Sequence, residues 1–236
     1  MMSESDQILA IPLWINGHAY LTMPQAFFDV RDARSGEVKR RTPLCGPAEA
    51  LAAAGSAQAA LPDWAARTVA ERAALLVALA GTLAEYGEHF AELVSEETGK
   101  DAALAAAEVG DALSLLRGVD SGAVSDAAGA AVVAIVSDDS APLFGPLRHA
   151  VPALLAGATV VVKPSPKAPS AAFALAELTA RSDFPGGVFN VLHGDLAAIE
   201  GLCVLREVSR LCFAGDPALG AKVAEVAIRY GKPFVD

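Results

Sequence analysis

Lys163 is the side chain best placed to do chemistry in this chain. It follows Thr159-Val-Val-Val162 and precedes Pro164-Ser165. An unbroken β-branched run is the pattern of a strand buried on both faces. The carboxyl end of such a strand is where an open α/β sheet places a nucleotide. An ammonium there serves either as a binding group or as a solvated strand cap. Gly215 is the second candidate, falling between the run Val208–Phe213 and Pro217. It either admits a phosphate to a helix N-terminus or only makes the tight strand-to-helix turn. Asp216 beside it reads as a helix N-cap.

The nucleophiles are less suited to a reaction. Cys45, Cys203 and Cys212 are three in number and widely spaced, which is neither a disulfide framework nor a metal spacing. Cys212 falls inside an apolar run and reads as core. Asp138 and Asp139 form an adjacent acidic pair that resembles a cation site, but two neighbouring loop carboxylates are ordinarily solvated. Ser140 reads as a loop serine. His149 falls on a helix, packed or partly solvated, and His18, His89 and His193 have no partner legible in the sequence.

Composition narrows the classes. A net charge of −10, with no basic block, argues against nucleic acid and against an anionic membrane surface. The 53% hydrophobic content is ample for a core, and the apolar stretches are too short or interrupted for a membrane span. The amino terminus Met-Met-Ser-Glu-Ser-Asp lacks the basic and apolar regions of a signal peptide. A soluble, cytoplasmic protein is the expectation.

The elements that must position these groups fall into two regions. Residues 8–117 read as hairpins and then helices. Asn16-Gly17 and Ser35-Gly36 are turn signals. A helix over Pro47–Ala60 follows. Thr68-Val-Ala-Glu71 is a capping box for a helix reaching about Tyr86, with Leu75, Leu76, Leu79 and Leu83 on one stripe. Further helices are expected over Glu88–Thr98 and Asp101–Leu116. Residues 118–130, small and polar, read as a linker. Residues 131–236 alternate strand and helix: strands at Val132–Val136, Thr159–Val162, Val188–Leu192 and Val208–Phe213, helices at Pro142–Ala156, Ser170–Arg181, Ala197–Val204 and Pro217–Tyr230. Four βα units in sequence predict an α/β fold, a Rossmann-like doubly wound parallel sheet with an amino-terminal β-hairpin and helical layer.

These segments, in this order, resemble the amino-terminal half of the aldehyde dehydrogenase superfamily. Trp14-Ile-Asn-Gly17 is similar to its "FING", Ser35-Gly-Glu-Val38 to its "TGEV", and Glu96-Glu-Thr-Gly-Lys100 to its "LETGK". Ala59–Trp64 followed by Val69–Arg72 is similar to its "A…W…ER". Pro152–Ser165 resembles "PALAAGNTVVLKPS", Phe184–Val191 resembles "LPPGVVNVV", and Leu211–Gly215 resembles "VAFTGS".

The resemblance implies NAD or NADP as cofactor, with contacts at Val136, Lys163, Ser165, Phe213, Gly215, Asp216 and Leu219. It also exposes departures. The ribose-binding glutamate is replaced by Pro166, the serine after the glycine by Asp216, and the glycine-rich turn by the shorter His193-Gly-Asp-Leu196. Carboxylates near a phosphate site disfavour the anion, so binding is expected to be weakened or lost. Ser140 occupies the oxyanion-asparagine position, where a hydroxyl is shorter than an amide. The family's general base falls where this chain ends, with Asp236 the nearest carboxylate, and none of the three cysteines matches its nucleophile. The short stretch Gly118–Gly129 also stands where that family carries an oligomerisation hairpin.

The expectation is therefore an aldehyde-dehydrogenase-like protein lacking the catalytic cysteine domain, a non-catalytic accessory or interaction module. One alternative is the NAD(P)-binding part of an oxidoreductase acting on aldehydes, its cysteine half truncated or supplied by a partner. Another is a plain nucleotide-binding sensor. A homo-oligomer or a protein partner is expected to cover the face left by the missing domain.

Overall fold

The computed structural model describes residues 8–119 and 130–236. Most of the expected linker at 118–130 lies outside the described residues.

Strands β1 (Leu13–Ile15) and β2 (His18–Tyr20) form the first hairpin. Its turn uses Asn16 at φ 57° and Gly17 at φ 76°, the left-handed pair that matches strand twist in a two-residue loop. The expected amino-terminal hairpin is present and joins the main sheet. Trp14 pairs antiparallel with Val191, so β1 and β2 extend the main sheet. Strands β3 (Phe27–Arg31) and β4 (Val38–Pro43) make a separate two-stranded ribbon.

Four helices follow. α1 (Pro47–Ala65) runs past the expected end near Ala60 and carries Pro62 inside it. Packing outweighs the donor that proline lacks: Trp64 is fully buried, stacks on Phe184 at 5.7 Å and donates its Nε1–H to the Leu154 carbonyl at 3.1 Å. α2 (Val69–Glu85) begins at the expected capping box. The Thr68 hydroxyl accepts from Glu71 N at 3.2 Å, and the Glu71 carboxylate accepts from Thr68 N at 2.7 Å. α3 (Gly87–Thr98) stops at Gly99, φ 76°, and α4 (Ala102–Arg117) is capped by Asp101.

The repeating region supplies β5 (Val132–Ser137), α5 (Phe144–Leu155), β6 (Thr159–Lys163), α6 (Ser170–Arg181), β7 (Phe189–Val191), α7 (Leu196–Val204), β8 (Val208–Ala214), α8 (Pro217–Arg229) and a short β9 (Phe234–Val235). The sheet order is β2-β1-β7-β6-β5-β8-β9. All pairs from β7 through β9 are parallel. β9 was not legible in the sequence, being only two residues long. One face of the sheet packs with α2 to α6, the other with α1, α7 and α8. The chain winds outward from β5 to β6 and β7, then returns to lay β8 on the other side of β5. That reversal opens a crevice at the carboxyl ends of β5 and β8, where doubly wound sheets bind ligands.

The tryptophan-to-arginine segment has a structural task. Arg72 is buried and donates through Nε to the Leu155 carbonyl at 2.8 Å and to carbonyls of Ala65 and Arg67. With Trp64 it satisfies carbonyls left open where α5 and α1 end.

Candidate nucleotide crevice

Three of the sequence-predicted residues form one row across the sheet. Val136 on β5 is in register with Lys163 on β6 and with Phe213 on β8. Partners in parallel register face the same side, and here that is the side of α1, α7 and α8. Two residues further along each strand come Ser165, Asp138 and Gly215, at the mouth of the crevice. Asp138 N still donates to the Ala214 carbonyl at 3.1 Å, so the ladder continues to that point.

Lys163 is not the solvated cap that one reading allowed. It is 3% exposed and has no hydrogen-bond or ion-pair partner among the described residues. Burial lowers its pKa to about 8, with the charge of Asp195 opposing the shift. An ammonium buried without a hydrogen-bonding partner is costly, and only the charge of Asp195 offsets that cost.

Asp138 corrects the expectation of a solvated pair. It is buried. Its Oδ2 accepts from the Asp216 backbone N–H at 2.6 Å. Its Oδ1 accepts from Ser140 N at 2.8 Å and from the Ser140 hydroxyl at 2.5 Å. Asp139, half-buried, is only within 3.4 Å of the Ser165 hydroxyl. The two acidic neighbours, just past the end of β5, therefore have different partners. No cluster of three metal-ligating side chains occurs among the described residues.

Ser140 has its hydroxyl committed to Asp138 and its carbonyl to the Lys100 ammonium at 2.6 Å. Asp216 is an N-cap, as its sequence context implied: Oδ1 accepts from Ala218 N at 2.9 Å and Leu219 N at 3.1 Å. The Leu219 side chain is exposed, whereas Ser165 and Phe213 are buried. Gly215 has φ +154°, and a Cβ built on it would lie 2.3 Å from the Asp138 carboxyl.

The thiols are held in their protonated form by burial. All three cysteines are free and buried. Burial pushes Cys45 up to about 12 and Cys203 up to about 11, and raises Cys212 as well. A reactive thiolate needs the opposite shift.

Sequence reasoning missed several positioning groups. His193 is fully buried, its Nε2 donating to the Pro12 carbonyl at 3.0 Å while Nδ1 has no partner among the described residues. Burial lowers its pKa to about 4. His149, half-buried, reaches the Phe213 carbonyl at 2.8 Å. Glu108 accepts from Leu143 N at 2.9 Å and Phe144 N at 3.2 Å, capping α5 from α4. These contacts span long stretches of chain, and only the glutamate's place on a helix was a local signal.

This geometry agrees with known proteins. The chain is 31% identical over 215 residues to succinate-semialdehyde dehydrogenase [NADP(+)] GabD of Escherichia coli K12, an alignment covering 84% of this chain and 45% of that protein. It is 34% identical over 206 residues to N-succinylglutamate 5-semialdehyde dehydrogenase of Caulobacter sp. K31, covering 80% and 42%. Among solved structures, succinate-semialdehyde dehydrogenase from Burkholderia pseudomallei superposes with a TM-score of 0.87 at 28% identity, covering 99% of this chain and 52% of that one. A variant of aldehyde dehydrogenase C from Pseudomonas syringae, solved with NAD+ and octanal, superposes with a TM-score of 0.85 at 24% identity, covering 95% and 49%. The chain thus spans about half the length of the curated relatives it matches. The sequence pattern of the family matches residues 21–235, and with the sheet order and the strand-end lysine already in place, this chain belongs to the aldehyde dehydrogenase family.

Proposed function

We propose that this chain is a non-catalytic binding unit of the aldehyde dehydrogenase family, one that keeps the nucleotide crevice and uses it, with its exposed surfaces, for contacts rather than for aldehyde oxidation. The observation that carries this reading is the state of its thiols. Aldehyde oxidation through a thiohemiacetal needs an accessible thiolate, and Cys45, Cys203 and Cys212 are buried with raised pKa values. The Ser140 hydroxyl, turned into Asp138, supports the same reading.

A second reading is favoured by Lys163. A buried, unpartnered ammonium at a strand end suits NAD or NADP. The chain would then be the cofactor-binding part of an oxidoreductase acting on aldehydes, with the cysteine supplied from outside these residues. Either reading calls for a partner or a second copy. Ile228, Tyr230 and Val235 are exposed, and among the described residues β9 pairs with β8 alone, an edge of the kind that accepts a further strand.

Two assays decide. Purified protein is given semialdehyde substrates with NAD+ or NADP+, and reduced cofactor is followed by absorbance. The first reading expects none formed; turnover that survives replacement of all three cysteines by serine, or turnover by the chain alone, sinks it. Calorimetric titration with NAD+ and NADP+ then reports whether the crevice still takes a dinucleotide.

A further inference from the structure

The donors of the switch-point crevice are already filled from within the chain. A helix N-terminus at this place offers its first free N–H groups to an anion. At α8 each of these is accounted for. Asp216 N donates to Asp138 Oδ2 at 2.6 Å. Pro217 has no N–H. Ala218 N and Leu219 N donate to Asp216 Oδ1, and Gly220 N donates to the Asp216 carbonyl at 2.9 Å. The space that a glycine leaves open for a ligand's close approach is occupied as well: at Gly215 the atoms nearest a built Cβ, at 2.3 Å, belong to the Asp138 carboxyl. Ser140 holds that carboxylate from its other side through two hydrogen bonds. The donors at the start of α8 are thus satisfied from within the chain, while one row back on the same face the Lys163 ammonium has no hydrogen-bond partner among the described residues.

We propose that Asp138 is a built-in anion in the phosphate position of this crevice, so that the residues present do not fit the di- or pyrophosphate of a nucleotide. This rests on the reading of the crevice as a nucleotide site. A carboxylate held by a backbone N–H and a serine is a charge-assisted arrangement. An incoming pyrophosphate must displace it and then meet its negative charge at close range, which costs affinity twice.

The test is calorimetric titration of the full chain with adenosine, ADP and NAD+, on the wild type and on Asp138→Asn and Asp138→Ala, each first confirmed folded by thermal melting. Asn keeps an acceptor for Ser140 and removes the charge; Ala removes both. The expected result is wild-type affinity for ADP no greater than for adenosine. In both variants ADP and NAD+ should bind at least ten-fold more tightly, with adenosine unchanged. If folded variants bind adenosine as before and gain nothing toward ADP, the nucleotide reading stands and the proposal is overturned. If no protein binds any of the three ligands, the nucleotide reading fails and the inference with it. Should neither variant fold, the wild-type ratio decides: ADP binding ten-fold tighter than adenosine overturns the proposal, and a ratio near one upholds it.

Discussion

The Lys100 ammonium lies 2.5 Å from the Glu108 carboxylate and 2.6 Å from the Ser140 carbonyl, joining the helical layer to the loop at the mouth of the crevice. Glu108 is buried and also accepts from the first amides of α5. A single carboxylate therefore positions a loop, a helix start and a cation. Breaking a buried, hydrogen-bonded charge leaves its partners unpaired. Glu108→Ala is expected to cost about 3 kcal/mol in urea unfolding. Lys100→Met, which removes the more exposed partner, should cost about 1 kcal/mol. Equal costs would mean that the α5 cap contributes little.

Two glycines with similar dihedral angles should respond very differently to alanine. Gly36 has φ +75° and open space around a built Cβ; Gly187 has φ +84°, and its Cβ would lie 2.6 Å from the Ser56 carbonyl oxygen and 2.9 Å from the Ala60 methyl. Gly36→Ala meets only the left-handed penalty, about 1 kcal/mol. Gly187→Ala must also push α1 away from the loop before β7, and a loss of about 3 kcal/mol or more is expected. Thermal melting of the two variants side by side checks this, and comparable melting temperatures would refute the close approach.

Local features were the legible ones. The Thr68–Glu71 box, the Asn16-Gly17 turn and the β-branched strand Thr159–Val162 are written in contiguous residues, and each appears where the sequence puts it. The limits of α1 were not, because Trp64 and its stack on Phe184 carry the helix through Pro62. Val136, Lys163 and Phe213 were named together only through the family resemblance, and their alignment in one row is visible only in the sheet register. The burial of Asp138 did not, since its partner Asp216 is 78 residues away and the contact exists only once β8 lies beside β5. His193 and the Pro12 carbonyl, separated by 181 residues, were equally hidden. The chemistry of the crevice is set by such crossings, which a linear reading cannot weigh.

Glu97 and His193 should give opposite slopes to stability against pH. Burial raises Glu97 to about 7 from 4.5, offset by hydrogen bonds from Ser170 and the charge of Arg40. Its folded form holds the proton longer than the unfolded chain does, so its contribution is present below pH 4.5 and lost as pH rises through 7. Burial lowers His193 to about 4 from 6.5. Here the unfolded chain takes the proton first, so stability falls as pH drops from 6.5 toward 4. Each shift corresponds to about 3 kcal/mol at full extent, and over pH 4.5–6.5 the two oppose. Relative to wild type, Glu97→Gln should gain stability as pH rises across that window, and His193→Gln should lose it. Parallel wild-type and variant curves in thermal denaturation would show that neither group is desolvated as described.

Lys163→Met should make the protein more stable. The side chain is almost fully buried without a partner, and its pKa falls from 10.5 to about 8. At pH 7 both folded and unfolded chains carry the proton, so the folded state bears the full cost of a buried charge, about 3 kcal/mol. Methionine keeps the length and apolar stem and removes that cost. The gain should be constant below pH 8 and shrink as pH rises toward 10.5, where the unfolded chain also loses its proton. Urea unfolding at pH 7 and pH 9.5 measures both quantities. A destabilised Lys163→Met would mean that the ammonium is stabilised by its surroundings in the absence of any ligand, and that its burial serves the fold. A stabilised variant would show the opposite: a site kept at the expense of the fold, as expected where a lysine is held ready for a group supplied from outside the chain.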